Sequence, residues 1–205
     1  MIAELAPTEP EVHGLVALLE IQASRTRART GPTGEPILLP DQDRSRWDRL
    51  LIRRGLTALD RALTLTDTPG PYVLQAAIAA CHARAATPDD TDWHHITALY
   101  EALARINPSP VVELNRAVAM SMAHGPAAAL ELVDQLTDEP ALARYHLLPS
   151  VRGDLLTKLG RHAEAHHEFT RAAELTRNAR ERALLQQRAR DAAARSTDSG
   201  AEPPR

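Results

Sequence analysis

The sequence predicts an all-α chain, an irregular solenoid of helical hairpins. Three observations carry that expectation. Ala, Leu, Arg and Glu dominate while aromatic residues make up 3% of the chain, a composition that favours helices and leaves little to build strands from. Apolar residues recur at three- and four-residue steps between clusters of Gly and Pro. One segment, 150–178, has the signature of two nested antiparallel helices. There Gly153 supplies a small residue at the crossing, Gly160 a stop, and Ala165, Phe169 and Ala172 an inner stripe.

The first helix is predicted over Glu9–Ser24, capped by Thr8 with Pro10 in its first turn, and with Val12, Leu15, Val16, Leu19 and Ala23 as its apolar stripe. Residues 25–36 hold two Gly and two Pro without periodicity. They open a long loop, 24–44, in which Ile37, Leu38 and Leu39 form a short apolar patch that tucks under a helix. The next helix starts at a cap on Asp43 or Ser45. Trp47, Leu51, Ala58 and Ala62 lie on one face and Ile52, Leu56, Leu59 and Leu63 on another, the pattern of a helix sandwiched between neighbours. Gly55 marks a close crossing within it, since Gly costs about 1 kcal/mol against Ala in a helix.

After Pro69-Gly70-Pro71, an Ala-rich helix runs over Tyr72–Ala85, and Asp90 or Asp92 caps another that ends at Asn107-Pro108. Ser109-Pro110 starts a helix with the stripe Val111, Leu114, Val118 and Met122, ended by Gly125. Its partner opens at Pro126 and turns Ala129, Leu130, Val133 and Leu136 inward. Gly125 and Gly160 stand close to one tetratricopeptide period apart, so the hairpins read as tetratricopeptide-like, with only the last near consensus. Asn178 and Glu181 suggest a capping box for a final Arg-rich helix. The expected organisation is one helical domain, 1–195, and a disordered tail, 196–205.

Composition also narrows function. A formal charge of −3 argues against a dedicated nucleic-acid-binding domain. One cysteine, Cys81, excludes an internal disulfide and multi-cysteine zinc motifs. No apolar run is long enough to span a bilayer, and the N-terminus lacks the basic and apolar regions of a signal peptide. The expected location is the cytoplasm.

Five strings bear on family: LLPDQDRSRWDR, GPYVLQAAIAACHA, NPSPVVELNRAVA, YHLLPSVRGDLLTKLGR and ERALLQQR. In that order they resemble the C-terminal extension of a group of bacterial sigma factors of the extracytoplasmic-function class. The resemblance spans about Ala3 to Arg190. It implies a helical, tetratricopeptide-like extension that follows the two sigma domains. It also implies protein partners, namely those sigma domains and core RNA polymerase. Promoter DNA would be reached only through the N-terminal domains, which nothing here matches. On this reading the chain is a fragment with a regulatory role in transcription initiation that does not read promoters by itself.

Candidate contact residues follow from exposed or unusual chemistry. Asp41, Asp43, Arg44, Arg46, Trp47 and Asp48 pack acids, guanidiniums and an indole into a helix approach. They could dock a partner around a Trp anchor, or equally serve as caps, internal ion pairs and core. Asn115 and Arg116 lie on the first helix of a hairpin, the layer that lines a concave face; bonding to a neighbouring helix is the simpler reading. Arg152 and Asp154 divide the same way. Arg25, Arg27 and Arg29 could touch phosphate, although a solvated loop is the simpler reading. His162 and His166 share a helix face but lack the spacing of a zinc protease, so surface histidines are the better reading. His94-His95 and Cys81-His82 are adjacent pairs that point apart. No nucleophile elbow or phosphate loop stands out. The expectation is a binding module with no cofactor, no metal and no catalytic residue. A free-standing adaptor is the alternative, and a metal-dependent enzyme a distant third.

Overall fold

A computed structural model describes residues 2–199. It is all-helical, with one isolated β-bridge between Thr30 and Pro36 among the described residues. The chain divides into two compact units at Pro108–Ser109.

The first unit contains α1 (Ile2–Leu5), α2 (Pro10–Ser24), α3 (Arg49–Leu65), α4 (Pro71–Arg84) and α5 (Trp93–Ile106). Helix α2 packs against both α3 and α4, and α4 continues onto α5. The face of α2 that is buried differs from the expected stripe. Gly14, Ala17, Ile21 and Ser24 face inward, while Leu19 is 54% exposed. Close approach of the backbones decides this. A Cβ on Gly14 would lie 2.7 Å from Val73 N, and one on Gly55 2.6 Å from Ile21 Cγ1. Small residues therefore win the interface over larger apolar ones. Helix α3 likewise buries one face, through Ile52, Gly55, Leu59 and Ala62, and leaves Leu63 exposed. It is not sandwiched on two sides. It also starts later than expected: Asp48 is its cap, accepting from the Leu50 and Leu51 amides at 2.9 and 3.1 Å. The core of the unit joins Ile21, Trp47, Leu59 and Val73 with a run of alanines from α4.

The second unit contains α6 (Pro110–His124), α7 (Pro126–Gln135), α8 (Leu147–Lys158), α9 (His162–Leu175) and α10 (Ala179–Ser199). Each helix packs on the next in chain order. Gly125 and Gly160 turn the chain at positive φ, +93° and +73°, conformations that suit a residue without Cβ. Ala129, Leu130 and Val133 of α7 and Ala165, Phe169 and Ala172 of α9 are buried, as their spacing predicts. Gly153 lies against the Phe169 ring, where an added Cβ would come within 2.8 Å. Helix α6 departs from its expected stripe: Leu114, Ala117 and Ser121 go inward, and Val111, Val118 and Met122 are exposed.

Asn178 caps α10 through Oδ1, accepting from the Arg180 and Glu181 amides at 3.0 and 3.4 Å. The Asn178 amide donates to Thr176 Oγ1 at 3.3 Å, not to Glu181 as a capping box would have it. Glu181 instead accepts from Thr176 Oγ1 at 2.8 Å and faces His146 Nε2 at 3.3 Å. Helix α10 runs on to Ser199, into the segment expected as tail; residues 200–205 lie outside the described residues. No described helix is long and apolar enough to cross a membrane.

Candidate functional site

The segment between α2 and α3 is not a structureless loop. The Asp48 amide donates to Ser24 O at 2.9 Å, bringing the segment's ends together. Between them lie 3-10 turns over Thr26–Ala28, Leu39–Asp41 and Arg44–Arg46. Asp43 builds the last of these, its carboxylate accepting from the Ser45 amide at 2.9 Å and the Ser45 hydroxyl at 2.6 Å. Those bonds, the hydroxyl's first, hold the Asp43 carboxyl below its usual range. The turn aims Arg44 inward. Its Nη1 donates to the carbonyls of His82 and, at 2.9 Å, Ala85, and its Nη2 reaches Thr91 Oγ1 at 3.4 Å. These carbonyls close the C-terminal end of α4, where unpaired oxygens and the helix dipole favour a cation.

The indole of Trp47, 4% exposed, fills the space beside Arg44. The guanidinium carbon of Arg44 lies 4.9 Å from its ring centroid and that of Arg25 lies 5.8 Å away, both within cation–π range. His82 meets Trp93 edge-on at 5.2 Å. Burial, then the charges of Arg29 and Arg44, pull the Arg25 pKa down to about 10, so it remains a cation at neutral pH. Burial, then Arg25 and Arg44, push His82 down to about 4, and its imidazole is neutral. Three buried polar atoms of this cluster have no hydrogen-bond partner among the described residues, Arg25 Nε, Arg44 Nε and Trp47 Nε1, and neither has Gln42 Oε1 in the same segment. A surface depression lined by Arg27, Thr30, Ser45, Arg46, Trp47 and Asp48 adjoins it. Fixed cations around an indole equip the site to hold an anionic group.

The residues singled out in the sequence fall into distinct roles. Trp47 is buried and Arg44 half-buried, Asp43 and Asp48 are caps, and Asp41 and Arg46 remain exposed. On α6, Asn115 is exposed, whereas Arg116 pairs with Glu113 at 2.7 Å. In the second unit Arg152 bridges Asp134 at 2.8 Å and Glu168 at 2.7 Å, and Asp154 pairs with Arg188. Burial raises the Asp154 pKa despite that partner. His166 Nδ1 lies 2.9 Å from Ala189 O. Gln22, whose Oε1 accepts from Arg29 Nη2 at 2.7 Å, and His82, whose carbonyl accepts from Arg44, completed the Arg cluster without any local motif to announce them. The Arg25, Arg27 and Arg29 alternation was legible, but only Arg25 and Arg29 meet α2, at Gln22, across the turn at Thr26–Ala28, and Arg27 is exposed.

Residues 1–63 match the model of a family described only as of unknown function, DUF6596. An uncharacterized protein of Rhizobium meliloti (strain 1021) is 49% identical over 185 residues, which is 90% of this chain and 43% of that protein. The chain thus spans less than half the length of this relative. No solved structure matches.

Proposed function

We propose that this chain is the C-terminal regulatory and scaffolding part of a bacterial sigma factor of the extracytoplasmic-function class. It works in the cytoplasm by binding rather than by catalysis, and contacts the sigma domains or core RNA polymerase during transcription initiation. The observation that carries the reading is the pairing of the sequence strings behind it. LLPDQDRSRWDR sends Arg44 onto the end of GPYVLQAAIAACHA, at the His82 carbonyl, and onto Ala85 two residues past that string. ERALLQQR sends Arg188 onto Asp154 of YHLLPSVRGDLLTKLGR. Strings that are distant in sequence therefore interlock, as the parts of one shared architecture do. The larger size of the Rhizobium meliloti relative also supports a chain that works beside further domains.

On this reading α6–α7 and α8–α9 are tetratricopeptide-like hairpins. Two positive-φ glycines about one period apart and the Gly153–Phe169 crossing support that. Asp41, Arg46 and Asn115 are the exposed residues offered to a partner. The test is a pull-down of the purified chain with core RNA polymerase and with separately expressed sigma domains. Saturable binding to either, weakened by Arg46→Glu or Asn115→Ala, is expected. Absence of binding to both by the folded chain refutes the reading and leaves a free-standing adaptor.

A further inference from the structure

Within the first unit, two guanidiniums converge on a single neutral oxygen. Arg25 Nη2 donates to Gln22 Oε1, and Arg29 Nη2 donates to the same atom at 2.7 Å and to the Gln22 carbonyl at 3.0 Å. Among the described residues, no ion pair involves Arg25, Arg29 or Arg44. Like charges held this close ordinarily share a carboxylate or phosphate, because a charged acceptor forms shorter and stronger bonds than an amide oxygen and offsets the repulsion. Here the shared acceptor carries no charge.

The surroundings add positive charge, although the Asp90 carboxylate offsets part of that on Arg44. Arg25 and Arg44 both lie over Trp47, so a third cation stands next to the pair. The one imidazole nearby, His82, is neutral and adds no further positive charge. Trp47 is more than nine-tenths buried, and its Nε1–H has no partner. Arg25 Nε is also buried without one. Arg29 is exposed, as are its bonds to Gln22, so solvent reaches the convergence point from that side, while the Arg25 bond is part-buried.

We propose that Arg25 and Arg29, reinforced by Arg44, form a binding site for an oxyanion, a phosphate group or a carboxylate, which replaces Gln22 Oε1 as their shared acceptor. The planar forks of the two guanidiniums suit bidentate contact with either group. Both free phosphate and the carboxylate of an acidic peptide carry this chemistry. The site does not depend on the polymerase reading, since it is defined by side chains within one unit.

The test is calorimetric titration of the full chain at constant ionic strength. One arm uses inorganic phosphate, and the other uses a short unphosphorylated peptide of consecutive Glu residues. Saturable binding of at least one is expected, with Arg29→Gln weakening it about tenfold or more, the loss of one charge-assisted contact. Arg29 is the residue to vary because it is exposed, which spares the fold. Arg53→Gln, a like change at an exposed position on α3, should bind as the parent does. Saturation by phosphate alone identifies a small-anion site, and saturation by the peptide alone an acidic partner segment. No saturation by either probe, or parental binding by Arg29→Gln, overturns the proposal. A failed pull-down with polymerase leaves this result unaffected, so the two readings fail separately.

Discussion

Arg44→Ala tests whether the segment before α3 is a latch on α4. Arg44 makes two hydrogen bonds to carbonyls at the α4 terminus and stacks on a buried indole. A charge-assisted hydrogen bond is worth about 1.5–3 kcal/mol and a cation–π contact about 0.5–2 kcal/mol. Water will reach part of the vacated space because Arg44 is half-buried, so the contributions do not sum fully. A net loss of about 2–3 kcal/mol is expected on those figures. Arg44→Lys retains the charge but not the fork that spans His82 and Ala85, and should fall roughly midway. Urea denaturation followed by tryptophan fluorescence isolates the effect, because both tryptophans, Trp47 and Trp93, lie in the first unit. A change below about 0.5 kcal/mol for Arg44→Ala, the range of an ordinary surface substitution, would refute the latch. It would return Arg44 to the set of residues free to meet a partner.

Three other outcomes follow from the same structure. Gly14→Ala should destabilise the first unit by about 2 kcal/mol, since overpacking against the Val73 backbone exceeds the roughly 1 kcal/mol helix gain; a raised urea midpoint would contradict the crossing. Asp48→Ala removes the acceptor for the Leu50 and Leu51 amides and should cost about 1 kcal/mol, whereas Asp41→Ala, at an exposed position, should cost less in the same denaturation assay. His82 adds a pH dependence. Its folded pKa of about 4 lies below the ordinary 6.5, so the unfolded chain binds more protons between those values. The stability is whole above pH 6.5 and is lost as pH falls toward 4, on the order of 3 kcal/mol in all. His82→Gln should flatten that part of the pH profile of unfolding; an unchanged slope would show that His82 takes up its proton as readily in the folded chain as in the unfolded one.

Much of the architecture was legible in the sequence because it is local. Pro at helix starts, Gly125 and Gly160 at turns, Asp92 before Trp93 (one of the two caps the sequence offered, with Asp90) and the Ala165–Phe169–Ala172 spacing act within a few residues of themselves. The helical class follows from composition for the same reason. Tertiary structure decided which face of each helix is inside. Val12, Leu15 and Leu19 make the more apolar stripe on α2, yet Gly14, Ala17 and Ile21 are buried, because α3 and α4 approach too closely for larger side chains. It also decided the fate of the charged candidates. Arg152 and Asp154 could have faced a partner, and only the positions of Asp134, Glu168 and Arg188 made them internal ion pairs. The meeting of Arg25, Arg29 and Arg44 is of the same kind. The residues are plain in the sequence, but their shared environment depends on how the 25–48 segment folds back on α2 and α4, and that is set by packing between residues far apart along the chain.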